Sequence, residues 1–386
     1  MKIEQAEILH VACFSGNSGD HLNHEGFCEW LNELAKPVNL IWNRLELREV
    51  WRGDRDLYAR LARESQGNSL IVFGGGNFWE TWDENSASGT SLNVTYSQLS
   101  QLGIPVFFNS LSVETARGVS ANARSTFLPD LAKMAGDSSF FVTVRNDGSR
   151  RNLFDLGFDL PAGNVLPDHG LFTKLPDVES GVQDEISVAI NLAIDMPEIR
   201  YRGFSGPEEF FAHMAHCIEN VGREIPLSLK FIAHVPSDIS AFNYLVASFS
   251  DAFLRGKVKL YWEGGAYDPS LTFARHYLTS DVVISQRFHS TILGLRSNAR
   301  TLCVSNHPQL SGLFDELGSH EGVLLPIERA ADFPQFDRTL LLLGRSAQSS
   351  RSEKSLDAAS PPAVAQRSEL GNKLRGWLGS EVFSKI

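Results

Sequence analysis

The sequence predicts an α/β protein made of two Rossmann-like domains with parallel sheets, facing one another across a cleft. Three observations predict it. Short, near-continuous apolar strands alternate with helical patterns along most of the chain, as happens when a parallel sheet is covered on both faces. The alternation stops at a polar, turn-rich stretch after Phe172 and then restarts. At 386 residues the chain is long for one domain and comfortable for two, each with its own core.

The elements follow in order. Ile8–Phe14 reads as a buried strand, Gly16-Asn-Ser-Gly-Asp20 as a turn, and Phe27–Leu34 as a helix by its spacing. Further strands are expected at Val38–Trp42, Ser69–Phe73, Pro105–Asn109 and Phe140–Val144, with a short helix at Leu153–Phe158 closed by Gly157. Beyond the connector Thr173–Glu185, strands are expected at Ile186–Leu192, Leu229–His234, Val258–Tyr261, Val282–Ile284 and Thr301–Val304. The two domains therefore span 1–175 and 183–345. Residues 346–363, rich in Ser, Ala and charge and holding Pro361-Pro362, read as a flexible linker. Residues 364–386 read as a terminal helix, whose stripe of Leu370, Leu374, Trp377 and Leu378 suits docking back on the body.

Composition narrows the function classes. A net charge of −11 argues against broad nucleic-acid binding and makes any local cluster of arginines more telling. The four cysteines form no CxxC pair and no zinc spacing, and Cys13 and Cys303 lie in apolar runs as buried thiols, so a reducing compartment is indicated. The N-terminus enters a strand without a signal-peptide apolar region, and no apolar run approaches the roughly 20 residues that span a bilayer. A cytoplasmic protein is expected. Histidines and carboxylates show no metal-ligand spacing, so neither a metal nor a cofactor is expected.

The most informative segment runs from Asp281 to Leu295. The β-branched run Val282–Ile284 breaks into a polar turn and re-emerges as an apolar helical pattern, which puts Arg287 and His289 between a strand end and a helix start. Ligands bind there in open α/β sheets, and helix N–H groups favour an anion. Arg287 adds a permanently charged fork, and His289 a group able to exchange a proton near neutral pH. A purely structural turn, with Arg287 paired to Asp281 and His289 packed on the helix, is the competing reading.

Other strand ends carry further candidates. Gly16, Asn17, Gly19 and Asp20 follow the first strand, where bare backbone admits a ligand and Asp20 faces the cleft; the same residue types also serve as turn and cap. Gly74, Gly75, Gly76 and Asn77 follow the strand at 69–73, and three glycines in a row imply close approach of a ligand or tight packing of the next element. Trp79 and Trp82 beyond them suit a sugar face or the core equally. Arg145 ends the strand at 140–144 and precedes Asn146-Asp147; a surface ion pair is its commonest alternative. His169, in Pro167-Asp-His169, reads as a satisfied loop histidine.

Taken in order, these segments resemble the polysaccharide pyruvyltransferases. That family's pattern has a GN-x-GD loop, a GGGN segment, an arginine–acid segment, a PD loop and a late RLH motif. The matches are Gly16–Asp20, Gly74–Asn77, Arg145–Asp147, Pro167-Asp168 and Arg287-Phe-His289, spread over roughly residues 8 to 310. Phe288 replaces the family's leucine, Ser290 a common glycine, and Asn146 is inserted in the arginine–acid pair. Asn109–Val113 and the His-Gly-Leu-Phe after Asp168 also depart from the pattern, differences that bear first on the acceptor.

The resemblance implies a GT-B-like fold and transfer of a pyruvyl group from phosphoenolpyruvate to a sugar, forming a cyclic ketal. For that chemistry His289 is the best-placed proton donor, and Asp20, by its position, would deprotonate or orient the attacking hydroxyl. Arg287, Arg145, Gly16, Asn17, Gly19 and Gly74–Asn77 would bind substrate. The partners implied are phosphoenolpyruvate and a sugar acceptor; a lipid-linked acceptor would bring the protein to the inner membrane face. Two alternatives stay open: a GT-B glycosyltransferase using a nucleotide sugar, and a non-catalytic glycan- or anion-binding relative. Oligomeric state and acceptor sugar are not legible.

Overall fold

Two parallel six-stranded sheets carry the fold. The computed structural model describes residues 4–53, 56–178, 184–255, 257–262, 267–297, 299–318, 322–349 and 361–385. The strands of the first half are β1 (Gln5–Ala12), β2 (Asn39–Glu46), β3 (Leu70–Gly74), β4 (Trp79–Glu80), β5 (Val106–Leu111), β6 (Val113–Glu114), β7 (Phe140–Arg145) and β8 (Val165–Leu166). Those of the second are β9 (Ile186–Asn191), β10 (Leu227–Ala233), β11 (Val258–Trp262), β12 (Val282–Ser285), β13 (Arg300–Cys303) and β14 (Gly322–Leu324). Every pairing is parallel, which is why the central strands β3, β5, β9 and β12 are buried on both faces.

Strand order decides where a ligand can sit. The first sheet runs β2-β1-β3-β5-β7-β8 and the second β11-β10-β9-β12-β13-β14, with β4 and β6 forming a separate two-stranded ladder. The first order is flavodoxin-like, the second that of a dinucleotide-binding sheet, and each reverses direction once. The reversals fall between β1 and β3 and between β9 and β12. Crevices open beyond the carboxyl ends of those strands, and the chain folds so that the two crevices face one another.

The domains are joined by packing, not only by the connector. Leu22 and Leu171 of the first domain share an apolar cluster with Phe273, Ile292 and Leu293 of the second. Burying such a side chain contributes about 1.5–3 kcal/mol, so the floor of the cleft is firmly closed. Ser18 N–H donates to the His234 carbonyl across the domains at 3.1 Å. The second domain also lends its last element to the first: Leu370, Leu374 and Leu378 pack with Ile8, Phe27 and Leu31.

Three expectations change in detail. The turn expected at Gly16–Asp20 is shorter, because Asn17 caps a helix, Ser18–Ala35, that already contains Asp20. The expected linker at 346–363 loses both ends to helices, Phe333–Ser349 and Pro361–Trp377, so the terminal helix begins before residue 364; residues 350–360 lie outside the described residues. Trp79 belongs to the core, against Phe108 and Phe127, which removes it as a sugar platform. Within the expected connector, 179–183 lie outside the described residues.

Candidate active site

Where the two crevices meet there is a cavity of about 160 Å3. Its walls include Asn17, Asp20, Gly76, Asn77 and Arg145 from the first domain and Asp195, Arg200, His234, Arg287, His289 and His307 from the second. Each comes from a strand end or the segment after it: Asn17 after β1, Gly76 after β3, Arg145 on β7, Asp195 after β9, Arg287 after β12.

His289 sits in the first turn of the helix Phe288–Arg296 and reaches across to two carboxylates of the first domain. Its Nε2 is 3.3 Å from Asp168 Oδ2, and its Nδ1 is 3.6 Å from Asp20 Oδ1. Asp168 is fully buried and also accepts from Asn23 Nδ2 at 2.5 Å and Gly170 N–H at 2.8 Å. Burial alone would raise its carboxyl, but His289, Arg145 and the Gly170 N–H outweigh burial and hold it below the usual carboxylate range. Asp20 is steadied by Asn17 Nδ2 at 2.9 Å and Arg48 Nη2 at 3.2 Å. The other cavity histidines are held neutral. Burial, then the Arg287 charge and the neighbouring His289, depress His234, whose Nε2 lies 2.7 Å from the Tyr277 hydroxyl. Burial and Arg200 push His307 down to about 3. The His307 Nδ1 accepts the Gln309 N–H at 3.4 Å, so Nε2 carries the proton and faces Glu114 at 3.5 Å.

The arginines are all partnered. Arg145 is 3% exposed and donates to Asp147 at 2.9 Å and Asp168 at 3.4 Å, with its guanidinium 4.1 Å from the Phe288 ring centre. It is therefore no surface ion pair, and the phenylalanine in place of leucine gives it a stacking partner from the other domain. Arg287 pairs not with Asp281, which accepts from Ser187 N–H, but with Asp238 and Asp195. The inserted Asn146 accepts the Asp168 N–H at 3.0 Å and so fixes the PD loop. Ser290 caps its helix through Arg287 N–H at 3.3 Å.

The glycines divide. Gly76 and Asn77 line the cavity; Gly16, Gly19, Gly74 and Gly75 do not. A Cβ on Gly19 would lie 2.9 Å from both His234 Nδ1 and the His289 Cβ, so this glycine lets the two domains meet. A Cβ on Gly74 would strike His10 at 2.6 Å, and one on Gly75 would strike Asn23. Packing, not a ligand, explains these two. Asp168, Asp195, Arg200, Asp238, His234 and His307 were not singled out as site residues by sequence reasoning. The strand-end logic applied to β12 would have found Asp195 and Met196 after β9, had it been applied there.

Beside this cavity a wider cleft of about 1050 Å3 opens between the domains, lined by Trp82, Arg117, Ile199, Arg202, Asn306 and Pro308. The segments around 196–203 and 306–309 contribute to both spaces. Among the described residues no group of three or more His, Cys, Asp or Glu is disposed to hold a metal ion.

With this geometry, known proteins can be compared. A family model described as polysaccharide pyruvyl transferase matches residues 17–308, from the cap of the first helix to the segment beside His307. The chain belongs to the polysaccharide pyruvyl transferase family. No curated protein matches. Among solved structures, a putative UDP-N-acetylglucosamine 2-epimerase from Listeria monocytogenes superposes with a TM-score of 0.56 at 8% identity, covering 99% of this chain and 98% of the other. A glycosyltransferase from Rickettsia africae gives 0.52 at 9% identity, covering 98% and 99%. At such identity these likenesses speak for the GT-B-like fold alone. For a pyruvyl transferase family member, the motif arginines and histidine fall on the cavity wall. No helix among the described residues is long and apolar enough to cross a membrane.

Proposed function

We propose that the protein transfers a pyruvyl group from phosphoenolpyruvate to a sugar of a polysaccharide or its precursor, closing a pyruvate ketal and releasing phosphate. The observation that carries this reading is one histidine, His289, between two carboxylates on the wall of a small cavity that also holds Arg145, Arg200 and Arg287. The cavity suits a three-carbon phosphate ester, whereas sites for larger ligands are typically about 300–1,000 Å3. That size argues against a nucleotide sugar at this position.

The chemistry follows from the groups present. His289 donates a proton to the vinyl CH2, which becomes the ketal methyl and leaves C2 electrophilic. One sugar hydroxyl attacks C2, and Asp20 accepts its proton. A second hydroxyl then displaces phosphate from C2. Of the two hydroxyl protons, one restores His289 and the other leaves with phosphate. The sugar chain would lie in the wide cleft, with Trp82 as an apolar face for a pyranose ring; a lipid-linked precursor is compatible with this placement.

Incubation with phosphoenolpyruvate and a panel of β-galactosides, mannosides and N-acetylmannosamine glycans tests the reading. Released phosphate and the ketal mass increase are expected, and His289→Ala should lower the rate by about 10²–10⁴-fold. Binding of phosphoenolpyruvate without turnover on any acceptor would favour the non-catalytic relative. Absence of binding would sink the donor assignment.

A further inference from the structure

Every arginine facing the small cavity already has a carboxylate, yet one of those carboxylates is unlike the rest. Asp147, Asp168 and Asp238 are fully buried and bonded on several sides. Asp195 keeps 39% of its side-chain surface exposed, while its two oxygens lie 2.6 Å from Arg287 Nη2 and 3.4 Å from Arg200 Nη2. It therefore bridges two guanidinium groups with a planar anion, at the wall of a cavity read as the seat of an anionic donor. Its place can be vacated cheaply. The Asp195 carbonyl is held separately by Arg200 Nε at 2.9 Å, so the backbone can stay while the side chain turns toward solvent. Arg287 would not lose its aim, because Asp238 grips Nε through both oxygens at 2.9 Å. Arg200 is likewise anchored through Nη1 to the Gln286 carbonyl at 3.0 Å.

We infer that the space taken by the Asp195 carboxylate between Arg287 and Arg200 is the subsite for the donor's phosphate or carboxylate, and that Asp195 is a stand-in anion the ligand displaces. Arg200 becomes the second cation of that subsite. Asp195 offsets two positive charges that would otherwise sit close together. On binding, the incoming anion takes over both arginines, and the repulsion between it and Asp195 lowers affinity and speeds release. This inference rests on the donor reading above, but its probe need not be the donor.

Isothermal titration of wild type and Asp195→Asn with inorganic phosphate and with phosphoenolpyruvate tests it. The variant should bind both at least about tenfold more tightly, since a like charge is removed from the subsite. Asp195→Ser serves as a second variant if the amide itself bridges the arginines, and thermal melts confirm that each folds. Unchanged or weaker binding of both anions in both variants would overturn the inference, assigning Asp195 to orienting Arg287 instead. Tighter phosphate binding with no binding of phosphoenolpyruvate would uphold the subsite while the donor reading fails. Turnover with unchanged affinities would do the reverse.

Discussion

Arg145 and Arg287 face the same cavity from opposite domains, and each sits between two aspartates, but the two arrangements differ in what they can do. Both partners of Arg145 are sealed: Asp147 and Asp168 have 1% and 0% of their side chains exposed. Arg287 has one sealed partner, Asp238, and one that reaches solvent, Asp195. A charge fully enclosed by counter-charges is a structural fixture, since losing any member strands the others in a low-dielectric interior. A charge with one exchangeable partner can change partners. The difference separates a cation sealed among buried carboxylates from one that keeps a solvent-exposed partner.

The strongest way to break this contrast is to delete each guanidinium. Arg145→Met should cost about 3–5 kcal/mol of unfolding free energy, because it removes the one cation shared by two fully buried carboxylates. Arg287→Met should cost only about 2 kcal/mol, because Asp195 can turn to water and Asp238 keeps backbone and side-chain donors from His234, Val235 and Asn191. Urea denaturation of both variants gives the comparison directly. Equal losses would mean that the two pairs are equally structural.

Acid titration sharpens the same point with a smaller effect. Burial opposes ionisation of both Asp168 and Asp195, but their cationic neighbours outweigh it and hold both carboxyls below the usual 3.8. A depressed carboxyl stabilises the fold fully above its unfolded value, and that contribution is lost as pH falls through 3.8 toward the folded value. Between about pH 5 and pH 3, Asp168→Asn should therefore flatten the fall in stability by about 1–2 kcal/mol. Asp195→Asn should change that slope by less than about 0.5 kcal/mol, because solvent screens a half-open pair. Denaturation midpoints across that range would show whether the slopes separate.

How much of this was readable in advance depends on how local the cause is. Strands were legible because their apolar runs must be buried on both faces, and Arg287 and His289 were legible because a strand end and a helix start bracket them in sequence. The interior fate of Arg145 was not, because Asp168 lies in the loop after β8 and Phe288 in another domain. The three glycines at 74–76 were rightly read as needing bare backbone. What demands it at Gly74 and Gly75, His10 and Asn23, comes from other elements. Asp195 follows β9 as Arg287 follows β12, but Arg200 belongs to no recognisable spacing, and the β9–β12 reversal brings both beside Arg287. Short strands such as β8 and β14 carry too few residues to show a period at all.

The smallest expected effect concerns the mouth of the cleft. Arg117 of the first domain and Glu198 of the second approach to 2.9 Å, with 39% and 54% of their side chains exposed. This pair spans the domains as the buried contacts do, but water competes for both ends. Arg117→Ala should therefore lower stability by no more than about 1 kcal/mol, and raising the salt concentration should shrink even that difference. The domains should stay closed, because Gln309 still reaches Ser112 and Asp147 at 3.0 Å and a Cβ on Gly312 would have no room beside the Asp147 carbonyl. Small-angle scattering of wild type and variant would reveal any opening. A more expanded variant would shift the weight of closure from the buried apolar floor to the solvent-exposed rim.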